Sequence, residues 1–182
     1  MPASHLRRKI PRSCLVSTLG GALALLSIFA FWIVTSRSQA VPALTPARFA
    51  SAMQLWEEQG LENYEIAIQV EGRQPAIYEV TVENGEPVRA LRNGQPLPAG
   101  PTRGTWSVPG MFSTIDYDVE AVAKRENDPE AAQTPRLILR AEFNPQWGYP
   151  AKYERLELMT QNAVRWQVTR FVVHDDVSRT LK

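Results

Sequence analysis

Between Asn63 and Glu83 the chain alternates apolar and polar residues with a period of two, twice in succession. In "NYEIAIQVE", Tyr64, Ile66, Ile68 and Val70 alternate with Glu65, Ala67, Gln69 and Glu71. In "IYEVTVE", Tyr78, Val80 and Val82 alternate with Glu79, Thr81 and Glu83. A polar opposite face means a strand buried on one side, which is the habit of antiparallel sheets. Asn84–Gly85 is a strong hairpin signal and turns the chain into a third strand, "PVRALR". The sheet needs a cover for its apolar face.

Two amphipathic helices are placed to supply that cover. Thr45–Pro46 provides an N-cap followed by proline at the first helical position. Phe49, Ala52, Met53 and Trp56 then recur at helical spacing, and Gly60 ends the run. A second helix fits "SVPGMFSTIDYDVEAVAKRE", with Ser107 as cap and Val108, Met111, Phe112, Ile115, Val119 and Val122 as one stripe. Between strands and helix, "NGQPLPAGPTRG" (93–104) is rich in Gly and Pro and is expected to be loop. Beyond the helix, "RLILRAEF", "AKYERLELM" and "VRWQVTRFVV" are further strands. In the last, Val164, Trp166, Val168 and Val172 are expected on one face. The predicted class is α+β: two helix-plus-three-strand units in an antiparallel sheet, helices packed on one side, preceded by one transmembrane helix.

That preceding segment is the longest apolar run. Cys14–Thr35 contains 22 residues and no charge. As a helix it would extend roughly 33 Å, enough for a bilayer core of about 30 Å, and it exceeds the usual secretory apolar core. Arg7, Arg8, Lys9 and Arg12 precede it and Arg37 alone follows closely, so the N-terminus is expected on the cytoplasmic side. The resulting division is 1–13 a cytoplasmic basic segment, 14–35 a transmembrane signal anchor, 36–45 a linker, 46–173 an extracytoplasmic domain and 174–182 a polar tail. The alternative is secretion after cleavage at Ala40, because "SQA" has a small-x-small form.

Composition narrows the chemistry. Of 20 basic residues four precede the apolar run, leaving 16 against 19 acidic, a net charge of −3 for the rest of the chain. No basic stripe is left for nucleic acid. The single cysteine, Cys14, precedes the exported part, which therefore has no internal disulfide and no thiol nucleophile. His5 lies in the leader and His174 in the tail, so a histidine-based catalytic set would have to use His174. His174–Asp175–Asp176 are adjacent tail residues that seldom converge on one ion, and no cofactor or metal is expected. Asp116, Asp118 and Glu120 cluster on the second helix; with Asp116 and Glu120 four apart, they read as a solvated face.

The aromatic-rich turn "NPQWGYP" between two strands is the best candidate contact surface, through Trp147, Tyr149 and Tyr153. The same residues suit a turn whose aromatics fold back over the sheet end, since Gly148 and Pro150 shape the backbone there. The motifs "LWEEQGLENYEIAIQV", "YEVTVENGEPV", "TWSVPGMFSTI" and "AEFNPQWGYPAKY" occur in an order that resembles an uncharacterised family of bacterial exported and lipoprotein-like proteins, a domain of unknown function. The resemblance covers roughly 55–173 and implies fold and an exported location; it implies no activity, cofactor or catalytic residue. The functional expectation is a membrane-anchored extracytoplasmic binding or accessory domain of the bacterial envelope, with an envelope protein as partner. A carboxylate-dependent hydrolase and a small inhibitor-like protein are the alternatives.

Overall fold

The computed structural model describes residues 41–174, apart from 99, 129, 159 and 161. The expected basic segment, transmembrane anchor and Ala40 cleavage site, and the tail from 175 on with its Asp175 and Asp176, lie outside the described residues. Among the described residues no helix is long and apolar enough to cross a membrane.

The chain runs α1 (Pro46–Gln59), β1 (Tyr64–Glu71), β2 (Ala76–Glu83), β3 (Glu86–Arg92), β4 (Gln95–Pro96), a single turn α2 (Pro101–Gly104), α3 (Val108–Asn127), a 3-10 turn (Glu130–Gln133), β5 (Leu137–Phe143), β6 (Pro150–Glu157) and β7 (Asn162–Val173). Local chemistry accounts for the helix ends. Thr45 accepts a hydrogen bond from the Arg48 N–H at 3.3 Å, and Gly60 closes α1 in a left-handed conformation. Ser107 accepts from the Gly110 N–H at the start of α3. The stretch 93–104 is more ordered than a loop. Asn93–Gly94 repeats the positive-φ pair of Asn84–Gly85, and so makes a second tight hairpin, from β3 to β4.

All seven strands join in one antiparallel sheet of order β4-β3-β2-β1-β7-β6-β5. The two helix-plus-strand units meet where β1 of the first pairs with β7 of the second. One face is apolar and carries Tyr64, Ile66, Ile68, Val80, Val82, Ala141, Tyr153 and Trp166, in a single cluster with Phe49, Ala52 and Trp56 of α1 and Val108, Met111, Phe112 and Ile115 of α3. The other face is polar and matches charges across strands. Glu142 lies opposite Lys152 at 2.9 Å, and Glu154 opposite Arg165 at 3.7 Å.

Two sequence expectations change here. Val172 does not share a face with Trp166. Arg170 pairs with Ala67 while Val168 pairs with Ile68, so Thr169 is an extra residue, and its hydroxyl donates to the Ala67 carbonyl at 3.2 Å. A bulge of one residue exchanges the two faces beyond it. Phe171 consequently joins the core cluster, and Val172 is exposed. The expected linker 36–45 is also partly structural. Leu44 N–H donates to Leu139 O and Ala141 N–H to Pro42 O, with Ala43 bridged to Arg140. Val41–Leu44 thereby covers part of the β5 edge, where unpaired backbone groups would otherwise invite another strand.

Candidate functional site

The turn at 144–149 is organised by Asn144. Its side-chain oxygen accepts from Gln146 N–H and Trp147 N–H, both at 2.9 Å, and its amide donates to the Tyr149 hydroxyl at 3.2 Å. Gly148 adopts φ +80° and lies against α1 so closely that a Cβ there would stand 2.5 Å from Ala52 O. Tyr149 is buried, its ring centroid 4.4 Å from that of Phe171, which in turn meets Trp56 and Tyr64. Trp147 is half-buried and packed against the core. Tyr153 is 1% exposed. Of the three residues expected as a contact surface, Tyr149 is buried and Trp147 half-buried because the turn is wedged between α1 and the sheet, and Tyr153 is buried on the apolar face of β6. Burial raises the Tyr149 pKa from its ordinary value, with the Asn144 hydrogen bond opposing.

On the sheet's outward face ion pairs cross between strands at Glu142–Lys152, Glu154–Arg165 and Glu65–Arg170. The open surface is on the helix side. Helix α3 buries Val108, Met111, Phe112, Ile115 and Asp118, after which Val119 and Val122 are only half-buried. Its second half stands off from the sheet. A cleft of about 640 Å³ opens there, between Tyr117, Asp118 and Val122 on α3 and Arg136, Ile138 and Arg155 on the strands. A shallower cleft of about 500 Å³ runs the other way, past Thr105, Ser113 and Thr114. The two clefts meet at Tyr117, Asp118 and Arg155 and form one groove along α3.

The groove's centre is a polar cluster. Asp118 is 4% exposed, and its Oδ2 accepts from the Tyr153 hydroxyl at 2.7 Å. Oδ1 lies 3.4 Å from Arg155 Nε, an ion pair without hydrogen-bond alignment. A carboxylate this deeply buried requires such partners, because an unpaired charge is costly to desolvate. Burial pushes the Tyr153 pKa up, and the hydrogen bond to Asp118 and its negative charge push it the same way, with Arg155 opposing. With one oxygen accepting from a phenol and the other facing a guanidinium, Asp118 is suited to hold and orient its neighbours. Beside it Tyr117 is 74% exposed, an aromatic ring free to meet a ligand.

These residues were not singled out as a site by pattern, yet the signals exist. Asp118 lies three residues after Ile115 and seven after Met111, so helical spacing puts it on the buried stripe rather than with Asp116 and Glu120, which are exposed. Arg155 follows Tyr153 by two and shares its sheet face. Among the described residues no group of three His, Cys, Asp or Glu side chains is placed to hold a metal ion. His174, the first residue of the expected tail, is tied down by its N–H to Asn63 O and lies 3.7 Å from Glu65. No family model matches the chain, and no curated protein matches it.

Proposed function

We propose that this chain is a binding or accessory domain of the bacterial cell envelope, held outside the membrane by its apolar N-terminal run, and that it engages an envelope protein through the groove along α3. The observation that carries the reading is the groove itself, lined by the exposed Tyr117 and by the Asp118–Arg155 pair. A concave surface with a few convergent polar groups on rigid elements is the usual form of a binding site. The 22-residue uncharged run and its four preceding basic residues support the anchored orientation. The ordered motifs at 55–173 support membership of the exported family that they resemble.

The test is site-specific photocrosslinking of the full-length chain in native membranes. A photoreactive residue at position 117 is expected to give a discrete adduct, and one at the exposed outward-face position 83 none. Equal labelling from both positions would remove the groove from the proposal. Carbonate extraction and N-terminal sequencing address the anchor: the chain is expected to stay with the membrane and keep residues 14–35. A mature N-terminus at Val41 would replace anchoring with secretion.

A further inference from the structure

We infer that Arg155 is the docking point for a carboxylate carried by an extended peptide lying in this groove. The inference rests on the groove being the binding surface, and adds the chemistry that it recognises. Arginine presents five donors in a planar fork, suited to bidentate binding of a carboxylate. Its usual weakness as a receptor is the freedom of its long side chain, which binding must freeze. Here that freedom is already restricted. The Nε edge of Arg155 faces the Asp118 carboxylate, and Asp118 is itself fixed by the Tyr153 hydroxyl. Asp118 and Tyr153 are positioning residues; Arg155 is the contact.

The two arms of the groove differ in charge. Toward the C-terminal end of α3 the lining carries both signs, with Lys124, Arg125 and Arg136 among Glu126, Glu130 and Glu157. Toward the N-terminal end the lining is uncharged apart from Asp118 and Arg155; it includes Thr105 and Tyr117, while the Ser113 and Thr114 hydroxyls donate to Pro109 O and Gly110 O. A carboxylate on Arg155 from that side meets no acid other than Asp118. The wall there is firm. The 104–105 backbone crosses α3 at Gly110, where a Cβ would stand 2.1 Å from Gly104 O, and Ser107 Oγ donates to that carbonyl at 2.7 Å. A peptide suits the shape. From Gly110 to Arg125 the helix spans roughly 22 Å, the length of about seven extended residues.

The test uses full-length protein in detergent and four probes: a capped pentapeptide with central Glu in alanine, its Gln counterpart, an N-acetylated alanine peptide with a free C-terminus, and acetate. Binding is followed by NMR at the Arg155 side chain and the Thr105 and Thr114 amides. The Glu peptide is expected to bind about tenfold more tightly than the Gln peptide, and to lose that preference in Arg155→Gln. Arg155→Lys keeps the charge beside Asp118 and is the folding control; it is expected to weaken the Glu peptide several-fold, because an ammonium cannot match the fork. Asp118→Asn is expected to reduce the Glu preference while leaving the Gln peptide unchanged, which a purely structural role would not do. Preference for the free C-terminus over the Glu side chain assigns the carboxylate to a chain end and still supports the site. Equal binding of Glu and Gln peptides, or a preference that survives Arg155→Gln, overturns the inference. Acetate binding as tightly as the Glu peptide overturns its peptide part. A crosslink from position 117 together with no Glu preference would sink the carboxylate assignment and leave the groove standing.

Discussion

The Tyr153 hydroxyl donates to the Asp118 carboxylate at 2.7 Å, joining the middle of β6 to the middle of α3 inside the molecule. This bond holds the helix where its apolar stripe gives out. Tyr153→Phe leaves a buried carboxylate one donor short, and is expected to destabilise the fold by about 2 kcal/mol in urea denaturation. Combined with Asp118→Ala, which removes the acceptor, the double variant should lose clearly less than the sum of the singles, because both break the same contact. Additive losses would show that the two residues act separately.

Gly60 and Gly148 share a left-handed backbone but differ in surroundings. Nothing lies within 4 Å of a Cβ at Gly60, while at Gly148 a Cβ would press on Ala52 O and Trp56 N at 2.5 and 2.7 Å. Gly60→Ala should therefore cost about 1 kcal/mol, the conformational part alone. Gly148→Ala should cost about 3 kcal/mol or more, since the turn must move off α1. Denaturant midpoints of the two variants compare them directly; similar losses would contradict the close approach.

Thr169 is the extra residue of the β7 bulge, beyond which Phe171 packs inside. Thr169→Ala removes one hydrogen bond, to Ala67 O, and should cost only about 0.5–1 kcal/mol. Deleting Thr169 removes the extra residue and leaves Arg170 and Phe171 in regular register with Ala67 and Ile66, so Phe171 stays inside against Trp56, Tyr64 and Tyr149. Both variants should therefore keep a cooperative thermal transition, and its loss on deletion would contradict the reading of Thr169 as the extra residue.

Alkaline pH should weaken the fold through Tyr64. Burial raises its pKa from 10.0 to about 12, against the opposing hydrogen bond that the Val108 N–H donates to its hydroxyl at 3.1 Å. The folded state thus keeps a proton that the unfolded chain releases near pH 10, so this contribution is complete below pH 10 and is lost between pH 10 and 12. The slope approaches about 1.4 kcal/mol per pH unit for one such group. Urea midpoints measured from pH 9 to 12 should fall in that window, and fall less steeply in Tyr64→Phe. An unchanged slope in that variant would remove Tyr64 as a cause.

What the sequence determined by itself are the features that depend on near neighbours. Thr45–Pro46 and Gly60 bound α1, Ser107 caps α3, the Tyr64–Val70 alternation makes a one-sided strand, and Asn84–Gly85 makes a hairpin, each through bonds and sterics within a few residues. Antiparallel pairing with a helical cover follows from the same periods. Tertiary structure decided the rest. That β1 pairs with β7 is a contact across a hundred residues, which no local period records. The parity of Phe171 and Val172 is reset by an extra residue whose hydroxyl bonds to another strand. Trp147 and Tyr149 turn inward because α1 lies against Gly148. Asp118 belongs to the buried stripe by spacing, yet only Tyr153 and Arg155, arriving from β6, make its burial affordable and place it at the centre of the groove. Periodicity says which face a residue occupies; only packing says what that face meets.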